Sequence, residues 1–336
     1  MSRKIIIRVD GNPQIGIGHI TRCLYFFDNI KENFKAIFYI TENPQIKEYI
    51  KSRDYLVYEL KKNISLKEEM KKLADISTQL LILDLRNKPE SYFKQSSENF
   101  EKILRFDDLN MPINIYSNFY LNYNLYSDKI NFNLKNKDTE LFLGPKYYIL
   151  NPIFKKFKNY TRTFNSKAKN ILITMGGGDP NKSTIKVTNS IININDIHLN
   201  IILGKLFQNF NEINLLKTTF PSKITIYHDI KNMEEMMINN DIIISSGGNT
   251  SFEAAYMGIP GIHINQNKLQ SQNSVIYNQI GAFMDLGIGE QLIKEEIRDG
   301  VKKLISSNDL RKKMYYHCKE LEISKKIGTV IQKFIS

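Results

Sequence analysis

The stretch KIIIRVDGNPQIGIGHITRCL, residues 4–24, decides the fold class of the first half of the chain. It opens with an apolar run at 5–9 that is typical of a buried strand, and it continues through a turn that contains Gly16 and Gly18. A segment with helical periodicity follows, with His19 near its start. A strand, a glycine-containing loop and a helix in this order predict the first half of a βαβ unit.

Apolar runs and helix-like segments continue to alternate through the first third of the chain. Parallel strands that are buried on both faces read as short, nearly continuous apolar runs. The alternation therefore predicts a parallel sheet with helices on both faces. The predicted strands cover residues 5–9, 35–40, 56–60, 80–83 and 102–106, and the predicted helices include 20–29 and 66–76.

The pattern is interrupted at residues 145–169, which are rich in Lys, Asn, Tyr and Phe, and it then restarts. We therefore predict an α/β protein with two doubly wound, Rossmann-type domains that face a cleft. The predicted domains cover 1–160 and 161–310, and a C-terminal helix at 311–336 packs back on the first domain. In the second half, strands are predicted at 170–175, 199–204, 223–228 and 241–246, and helices at 183–192, 274–280 and, as a pair, within 293–336.

The formal net charge of +12 admits three kinds of partner: nucleic acid, an anionic membrane surface or an anionic small substrate. The lysines are scattered in ones and twos, and the sequence contains no long basic block or nucleic-acid-binding motif. We interpret the charge first as a solvated surface and second as steering of an anionic substrate, with no nucleic-acid partner.

Cysteine usage and hydropathy bear on the compartment. Cys23 and Cys318 lie far apart and in no metal-binding spacing, so we expect free thiols in a reducing cytoplasm. No segment approaches the roughly 20 apolar residues that span a bilayer, and the N-terminal apolar run is too short for a signal peptide. We expect a cytoplasmic protein without stable membrane insertion.

Three glycine-containing loops each lie between a predicted strand and a predicted helix, where unpaired N–H groups and the helix dipole favour anions. In the first loop, Gly16 and Gly18 do not complete the dinucleotide-binding pattern, because Arg22 and Cys23 occupy the region of its third glycine. His19 is open to two interpretations. It is either a helix-start histidine bonded to the backbone or a neutral imidazole that serves as a general base.

The second loop is MGGGDPN, residues 175–181. Gly177 and Gly178 give it conformational freedom, and Asp179 is either an ordinary helix N-cap or a substrate ligand. We expect all three residues to contact substrate.

The third loop is SSGGNTSFE, residues 245–253. Gly247 and Gly248 are expected to leave N–H groups for a phosphate, and Asn249 and Thr250 add polar donors. Glu253 follows on the helix, where a carboxylate either accepts hydrogen bonds from a ribose diol or balances the helix dipole. A polar patch beyond it contains Gln270 and Asn273, which either bind sugar or phosphate or solvate a loop.

The sequence contains no P-loop lysine, no Cys/His metal cluster, no serine-nucleophile elbow and no Cys–His catalytic signature. We therefore predict no cofactor and no metal. The diphosphate charge of a substrate would instead be balanced by helix N-termini and basic groups.

Several motifs of the chain together resemble those of a known family. The motifs RVDGNPQIGIGHITRCL, LRFDDLN, LFLGPKYYILNPIF, ITMGGGDPN and NMEEMMINNDIIISSGGNTSFEAAYMGIP are similar, in this order, to those of the GT-B-like UDP-2,4-diacetamido-2,4,6-trideoxy-β-L-altropyranose hydrolases of pseudaminic acid biosynthesis. They are also similar to those of the spore-coat polysaccharide SpsG-like proteins, which are related in fold to MurG-type transferases. The resemblance spans most of residues 5–290.

The resemblance implies a GT-B fold and a UDP-sugar substrate. His19 would be the catalytic base that activates water, and Glu253 would bind the ribose. The remaining expected UDP-binding residues are Gly247, Gly248, Asn249, Thr250, Gln270 and Asn273. The expected sugar-side residues are Arg8, Asp10, Gly16, Gly18, Asp84, Arg86, Asp107, Asp108, Gly177, Gly178 and Asp179.

The sequence departs from the hydrolases in the first domain. The hydrolases carry DHYG after the fourth strand, whereas this chain has DLRN, so Arg86 stands where the family has a tyrosine; the arginine that follows the family's GP motif is replaced by Asn151. A glycosyltransferase of the same fold, with a sugar or lipid acceptor in place of water, is the alternative function. Such an enzyme would add peripheral contact with anionic lipid. A non-catalytic nucleotide-sugar-binding module is a third, which the His19 loop disfavours.

Overall fold

The computed structural model describes residues 3–11, 17–78, 80–86, 88–109 and 111–336. The chain forms two compact units, one comprising Met1–Pro152 with Ser324–Ser336 and the other Ile153–Ile323. The first division therefore lies a few residues before the expected one at 160/161. The second lies after residue 323 rather than 310, because the helix at 308–320 belongs to the second unit.

The first unit is built on a seven-stranded sheet with the order β3-β2-β1-β4-β5-β7-β9, in which every neighbouring pair is parallel. The strands of β1 and β4 are buried throughout their centres because helices cover the sheet. Its elements are β1 (Arg3–Val9), α1 (Gly18–Phe27), β2 (Phe34–Thr41), α2 (Pro44–Lys51), β3 (Leu56–Leu60), α3 (Leu66–Ala74), β4 (Leu80–Asp84), α4 (Glu90–Asn99), β5 (Lys102–Asp107), β6 (Asn114–Ile115), β7 (Phe119–Asn122), β8 (Asn133–Leu134) and β9 (Glu140–Leu143).

The strand order reverses between β1 and β4. The chain runs outward from β1 through β2 to β3, and it then returns to the other side of β1 to form β4 and β5. In doubly wound sheets, ligands bind outside the carboxyl ends of the strands at such a switch point. The first turn of α1 and the last residue of β4 lie at this edge.

The second unit repeats the architecture with a six-stranded parallel sheet, order β12-β11-β10-β13-β14-β15, and its switch point lies between β10 and β13. The two sheets confirm the prediction of an α/β chain with two Rossmann-type halves. Its elements are β10 (Asn170–Thr174), α5 (Ser183–Ile191), β11 (His198–Leu203), α6 (Phe210–Thr219), β12 (Ile224–His228), α7 (Met233–Ile238), β13 (Ile242–Ser245), α8 (Asn249–Met257), β14 (Gly261–Asn265), α9 (Lys268–Gln279), β15 (Met284–Ile288), α10 (Lys294–Ser306) and α11 (Asn308–Glu320).

Two helical expectations were wrong. The segment 293–336 forms three helices rather than two, the third being α12 (Ile327–Ile335), which belongs to the first unit. There Phe334 packs against Phe26 and Phe119, with ring centroids 6.4 and 6.3 Å apart.

In the described parts of the chain, no helix is both long and apolar enough to cross a membrane.

The helix expected at 274–280 begins earlier, at Lys268. The side chain of Asn267 caps it by accepting a hydrogen bond from the backbone N–H of Gln270. Gln270 and Asn273 therefore lie on α9 and not on the loop before it.

Candidate functional site

His19 and Asp84 meet at the switch point of the first unit. His19 is in the first turn of α1 and Asp84 is the last residue of β4, and Nδ1 of the imidazole lies 2.5 Å from Oδ1 of the carboxylate. Both side chains are buried. A carboxylate accepts a hydrogen bond and so favours the proton on Nδ1, which leaves the lone pair of a neutral ring on Nε2. This arrangement suits His19 to a base that acts through Nε2.

Asp84 is held by more than the histidine. Arg22 donates from Nε to Oδ2 and from Nη2 to Oδ1, each at 2.5 Å, and Cys23 Sγ lies 3.5 Å from Oδ2. Burial alone would raise the pKa of this carboxyl, but Arg22 and His19 hold it well below its ordinary value. Asp84 was expected among the substrate ligands; its oxygens are buried and engaged by His19 and Arg22, and its expected contact with substrate stays a prediction.

Arg22 links this pair to a second carboxylate. Its Nη1 donates to Tyr123 Oη at 2.6 Å and to Asp108 Oδ2 at 3.4 Å. Asp108 Oδ2 also lies 3.9 Å from His19 Nε2. Arg86 donates to both oxygens of Asp108, from Nε at 3.2 Å and from Nη2 at 2.5 Å. Burial would raise the pKa of Asp108, but Arg22, His19 and Arg86 lower it.

Asp107 shapes the loop after β5. Its Oδ1 accepts hydrogen bonds from the backbone N–H groups of Asp108 and Leu109, and Arg105 donates to its Oδ2 at 2.6 Å. Burial raises the pKa of Asp107 despite these contacts. Both oxygens thus have protein donors that hold the loop, and the expected contact of Asp107 with substrate stays a prediction.

These side chains surround a cavity of about 250 Å³ in the first unit. His19 and the three aspartates Asp84, Asp107 and Asp108 contribute to its lining. Four cationic side chains complete the polar part of the wall, namely Arg22, Arg86, Lys88 and Arg105. Lys88 and Arg105 were not singled out in the sequence. Of the two, Arg105 could have been found from its position near the carboxyl end of β5, at the edge of the sheet where ligands bind.

Arg8 and Asp10 form a separate network. The Arg8 guanidinium is buried and contacts Glu69 and Asp10 at 2.6 Å each and Thr41 Oγ1 at 3.1 Å. Asp10 also accepts a hydrogen bond from the backbone N–H of Thr41. These partners engage the donors of Arg8 inside the protein, and its expected contact with substrate stays a prediction.

The glycines of the first loop are only partly described. Gly16 lies outside the described residues. Gly18 is the first residue of α1 and directly precedes His19. The histidine is therefore placed by the helix start, as the loop pattern predicted.

In the second unit, Gly247 follows β13 and is closely packed. A Cβ at this position would lie 2.2 Å from Ser274 Oγ and 2.7 Å from Asn265 Oδ1. Its N–H donates to Asn265 Oδ1 at 3.1 Å. The expectation that this N–H is available for a phosphate is therefore wrong, and glycine is required here for close packing against Asn265 and α9.

Gly248 is the N-cap residue of α8, so the first turn of that helix begins with Asn249 and Thr250. The first N–H groups of a helix lack partners within the helix, and they carry partial positive charge. A Cβ on Gly248 would lie 3.8 Å from Gln270 Nε2, so the Gln270 side chain lies beside this helix start. Asn273 is one turn further along α9.

Glu253 lies in the second turn of α8. Burial, with the nearby charge of Glu234, raises the pKa of its carboxyl to about 7. Glu234 is on α7 and is itself buried, with Lys156 Nζ 3.3 Å from its Oε1. The carboxyl of Glu253 is thus poised between its two protonation states near neutral pH.

The loop after β10 packs against the residues that directly follow β11. Gly176 has a φ of +82°, and a Cβ on Gly204 would lie 2.2 Å from the Gly176 carbonyl oxygen. The Gly177 carbonyl accepts a hydrogen bond from Leu206 N, and Gly178 follows it.

Asp179 caps α5. Its two carboxylate oxygens accept hydrogen bonds of 2.8 Å from the N–H groups of Ser183 and Thr184, and the side chain is buried. The residue at the N-cap position itself is Lys182, so Asp179 satisfies the first N–H groups of α5 from three residues before that position, and its expected role as a substrate ligand stays a prediction. Among the residues that the structure describes, no group of three or more His, Cys, Asp or Glu side chains could hold a metal ion.

Comparison with known proteins extends over both units. The chain is 35% identical over 278 residues to the uncharacterized protein MJ1062 of Methanocaldococcus jannaschii, a match that covers 80% of this chain and 57% of that protein. It is 24% identical to the spore coat polysaccharide biosynthesis protein SpsG of Bacillus subtilis, over 91% of this chain and 90% of that protein. The chain thus spans little more than half the length of the first of these relatives.

Solved structures share the fold. The MurG structure from Acinetobacter baumannii superposes with a TM-score of 0.70 at 13% identity, over 98% of this chain and 99% of that one. The calicheamicin glycosyltransferase CalG4 gives a TM-score of 0.66 at 10% identity, over 99% and 98% of the two chains. The fold is therefore GT-B. Residues 157–327, half of the chain, match the family described as "Glycosyltransferase family 28 C-terminal domain", and the chain belongs to that family.

Proposed function

We propose that the protein is a metal-independent hydrolase that cleaves a UDP-activated amino-deoxy sugar to free sugar and UDP in surface-glycan biosynthesis. The observation that carries this proposal is the buried contact of 2.5 Å between His19 Nδ1 and Asp84 Oδ1 at the edge of a polar cavity. A histidine oriented by a carboxylate is a recurrent general base. Family membership and the similarity to a spore coat polysaccharide biosynthesis protein support a nucleotide-sugar substrate.

The chemical step follows from the tautomer. The Nε2 lone pair of His19 takes a proton from water as the water oxygen attacks the anomeric carbon. The bond from that carbon to the UDP oxygen breaks, and its electron pair leaves with UDP. Asp84 stabilises the imidazolium that forms, and Arg22 keeps Asp84 ionised. A single displacement of this kind inverts the configuration at the anomeric carbon.

Nucleotide binding is assigned to the second unit. The first turn of α8 offers Asn249 and Thr250 backbone donors to the diphosphate, with Gly248 permitting close approach. Gln270 adds a side-chain donor beside this turn. Glu253, when ionised, would accept hydrogen bonds from the ribose hydroxyls.

The alternative is a glycosyltransferase, and membership of a glycosyltransferase family favours it. The same His19–Asp84 pair would deprotonate a sugar or lipid hydroxyl instead of water. The two reactions differ only in whether the attacking oxygen belongs to water or to the hydroxyl group of an acceptor.

The deciding experiment incubates the protein with a panel of UDP-sugars and measures UDP release with and without added acceptors. The hydrolase predicts release without acceptor, together with a free sugar of inverted anomeric configuration when the reaction is followed at once by NMR. Release that requires an acceptor identifies the transferase. Absence of UDP release from every donor, with or without acceptors, in a protein that binds UDP contradicts both.

A further inference from the structure

The cavity beside His19 has a wall of hydrogen-bond donors that the proposed reaction does not use. Lys88 and Arg105 line it, together with Arg86. Arginine and lysine side chains only donate hydrogen bonds, so a group that binds to them must be an acceptor.

Arg105 has unused donor capacity in a buried position. It is 5% exposed, and Nη2 donates to Asp107, but its Nε is buried without a hydrogen-bond partner among the described residues. The guanidinium lies 3.7 Å from the centroid of the Phe93 ring, which fixes its plane. A buried donor without a partner is costly, and a ligand that accepts from it would remove that cost.

Lys88 is a partly exposed cation of this wall. Its side chain is 25% exposed, and its nearest carboxylate oxygen is Glu69 Oε2, at 3.5 Å. That carboxylate is already bonded by Arg8 Nε at 2.6 Å and by Tyr92 Oη at 2.8 Å, both through Oε1. The ammonium group lies 4.8 Å from the centroid of the Tyr92 ring. Lys88 is therefore held beside the cavity by one long ion pair and one aromatic face.

Arg86 brings a further positive charge to the same wall. Its two contacts with Asp108 engage Nε and Nη2, and the side chain is 26% exposed. It occupies the position at which the sequence departs from the hydrolases that it resembles, where a neutral tyrosine is replaced by a permanent cation. The change therefore alters the charge of the cavity.

We propose that Lys88 and Arg105, with Arg86, form a subsite for a carboxylate carried by the substrate sugar or by the acceptor. A carboxylate offers two oxygens and a negative charge, which match the unused Nε–H of Arg105 and the loosely held ammonium of Lys88. The inference rests on the proposed function in one respect, namely that the reacting sugar enters the cavity beside His19.

The test uses sugar acids and their neutral counterparts as probes. Binding of glucuronate, galacturonate, glucose and galactose to the full-length protein is measured by saturation-transfer NMR and by competition titration. We expect the two acids to bind at least about tenfold more tightly than the two neutral sugars, with affinity that falls as salt rises. Lys88→Met and Arg105→Gln should each remove most of this preference, and Lys94→Met, at an exposed position on helix α4, which begins two residues after Lys88, should keep it.

The Lys88 variant keeps the test decisive if Arg105→Gln does not fold, because Lys88 is partly exposed. Equal affinity for acids and neutral sugars, or an unchanged preference in Lys88→Met, would overturn the subsite. UDP affinity is measured on the same samples. If the parent protein prefers the acids but does not bind UDP, the proposed function is refuted and the subsite stands. Donor and acceptor sources are separated by repeating the titration with saturating UDP-glucose, which displaces the acid only if the carboxylate belongs to the donor sugar.

Discussion

Arg22 contacts Asp84 through two donors, with Nε 2.5 Å from Oδ2 and Nη2 2.5 Å from Oδ1. Nη2 of the same guanidinium lies 2.8 Å from His19 Nδ1. His19 and Arg22 are three residues apart on α1 and so share one helix face. The helix therefore presents the base and the cation that fixes its carboxylate as one unit.

We predict that Asp84→Asn lowers turnover without abolishing UDP binding. An amide can donate to His19 Nδ1 and so favour the wrong tautomer, which places the proton on Nε2. The expected loss in kcat is about 10²–10⁴-fold, the range of general-base catalysis. A Glu59→Gln variant, which removes a carboxylate at a surface ion pair, serves as the matched control.

A purely structural role for Asp84 would give a different result. The two are separated by a double variant: if the carboxylate acts through His19, Asp84→Asn should cause little further loss of kcat in a His19→Asn background. A loss of the same size in both backgrounds, in folded protein, would contradict the positioning role.

We predict that UDP affinity rises with pH through the region around 7 and then levels off. The pKa of Glu253 is raised to about 7, so below that pH the carboxyl is increasingly protonated and accepts ribose hydrogen bonds less well. One proton must leave for binding, so affinity should change by up to about tenfold per pH unit on the acid side. Calorimetric titration of UDP between pH 5.5 and 8.5, with the phosphate group's own titration subtracted using Glu253→Gln, measures it.

The Glu234 charge provides the internal check. Because that charge helps to raise the pKa of Glu253, Glu234→Gln should move the midpoint of the UDP affinity curve to lower pH. A midpoint that does not move shows that Glu253 does not govern the titration.

The sequence predicted the buried apolar strands of the first sheet but not its two shortest strands. The centres of β1, β4 and β5 are buried and read as apolar runs, so their positions were predicted. The strands β7 (Phe119–Asn122) and β9 (Glu140–Leu143) were not, because each is four residues long and includes a polar residue. Strands this short carry too little periodicity to be told from a loop.

The site shows the same limit. The glycine loop placed His19 at a helix start, and this could be read from neighbouring residues. Its contact with Asp84, 65 residues away, follows from the reversal of strand order beside β1, which no local pattern contains. The signal that was present is the acidic residue at the end of β4, which lies at the edge of the sheet where ligands bind.

We predict that His263 makes the second unit sensitive to acid. It lies in β14, fully buried, with both ring nitrogens lacking hydrogen-bond partners among the described residues, and its ring stacks on Phe283 with centroids 4.4 Å apart. Burial lowers its pKa to about 3. The unfolded chain therefore binds a proton that the folded chain does not, so stability is complete above pH 6.5 and falls as pH drops toward 3.

The loss from this group should be roughly 2 kcal/mol by pH 5, which His263→Phe should remove. Urea unfolding of the full chain at pH 7.5 and pH 5 measures the difference, and His228→Gln, at an exposed position, is the control. If His263→Phe loses as much stability between the two pH values as the parent protein, His263 is not the acid-sensitive group.

We predict that His19→Asn removes turnover and spares nucleotide binding. The Asn side chain keeps polarity at the start of α1 but cannot accept a proton near neutral pH, so kcat should fall by about 10²–10⁴-fold. UDP affinity should stay within about twofold, because the proposed nucleotide contacts are all in the second unit. Single-turnover UDP release and calorimetric UDP titration on the same preparation measure the two effects separately. Near-normal turnover in His19→Asn, or a loss of UDP binding in place of turnover, would show that His19 supports the structure and that another group activates the nucleophile.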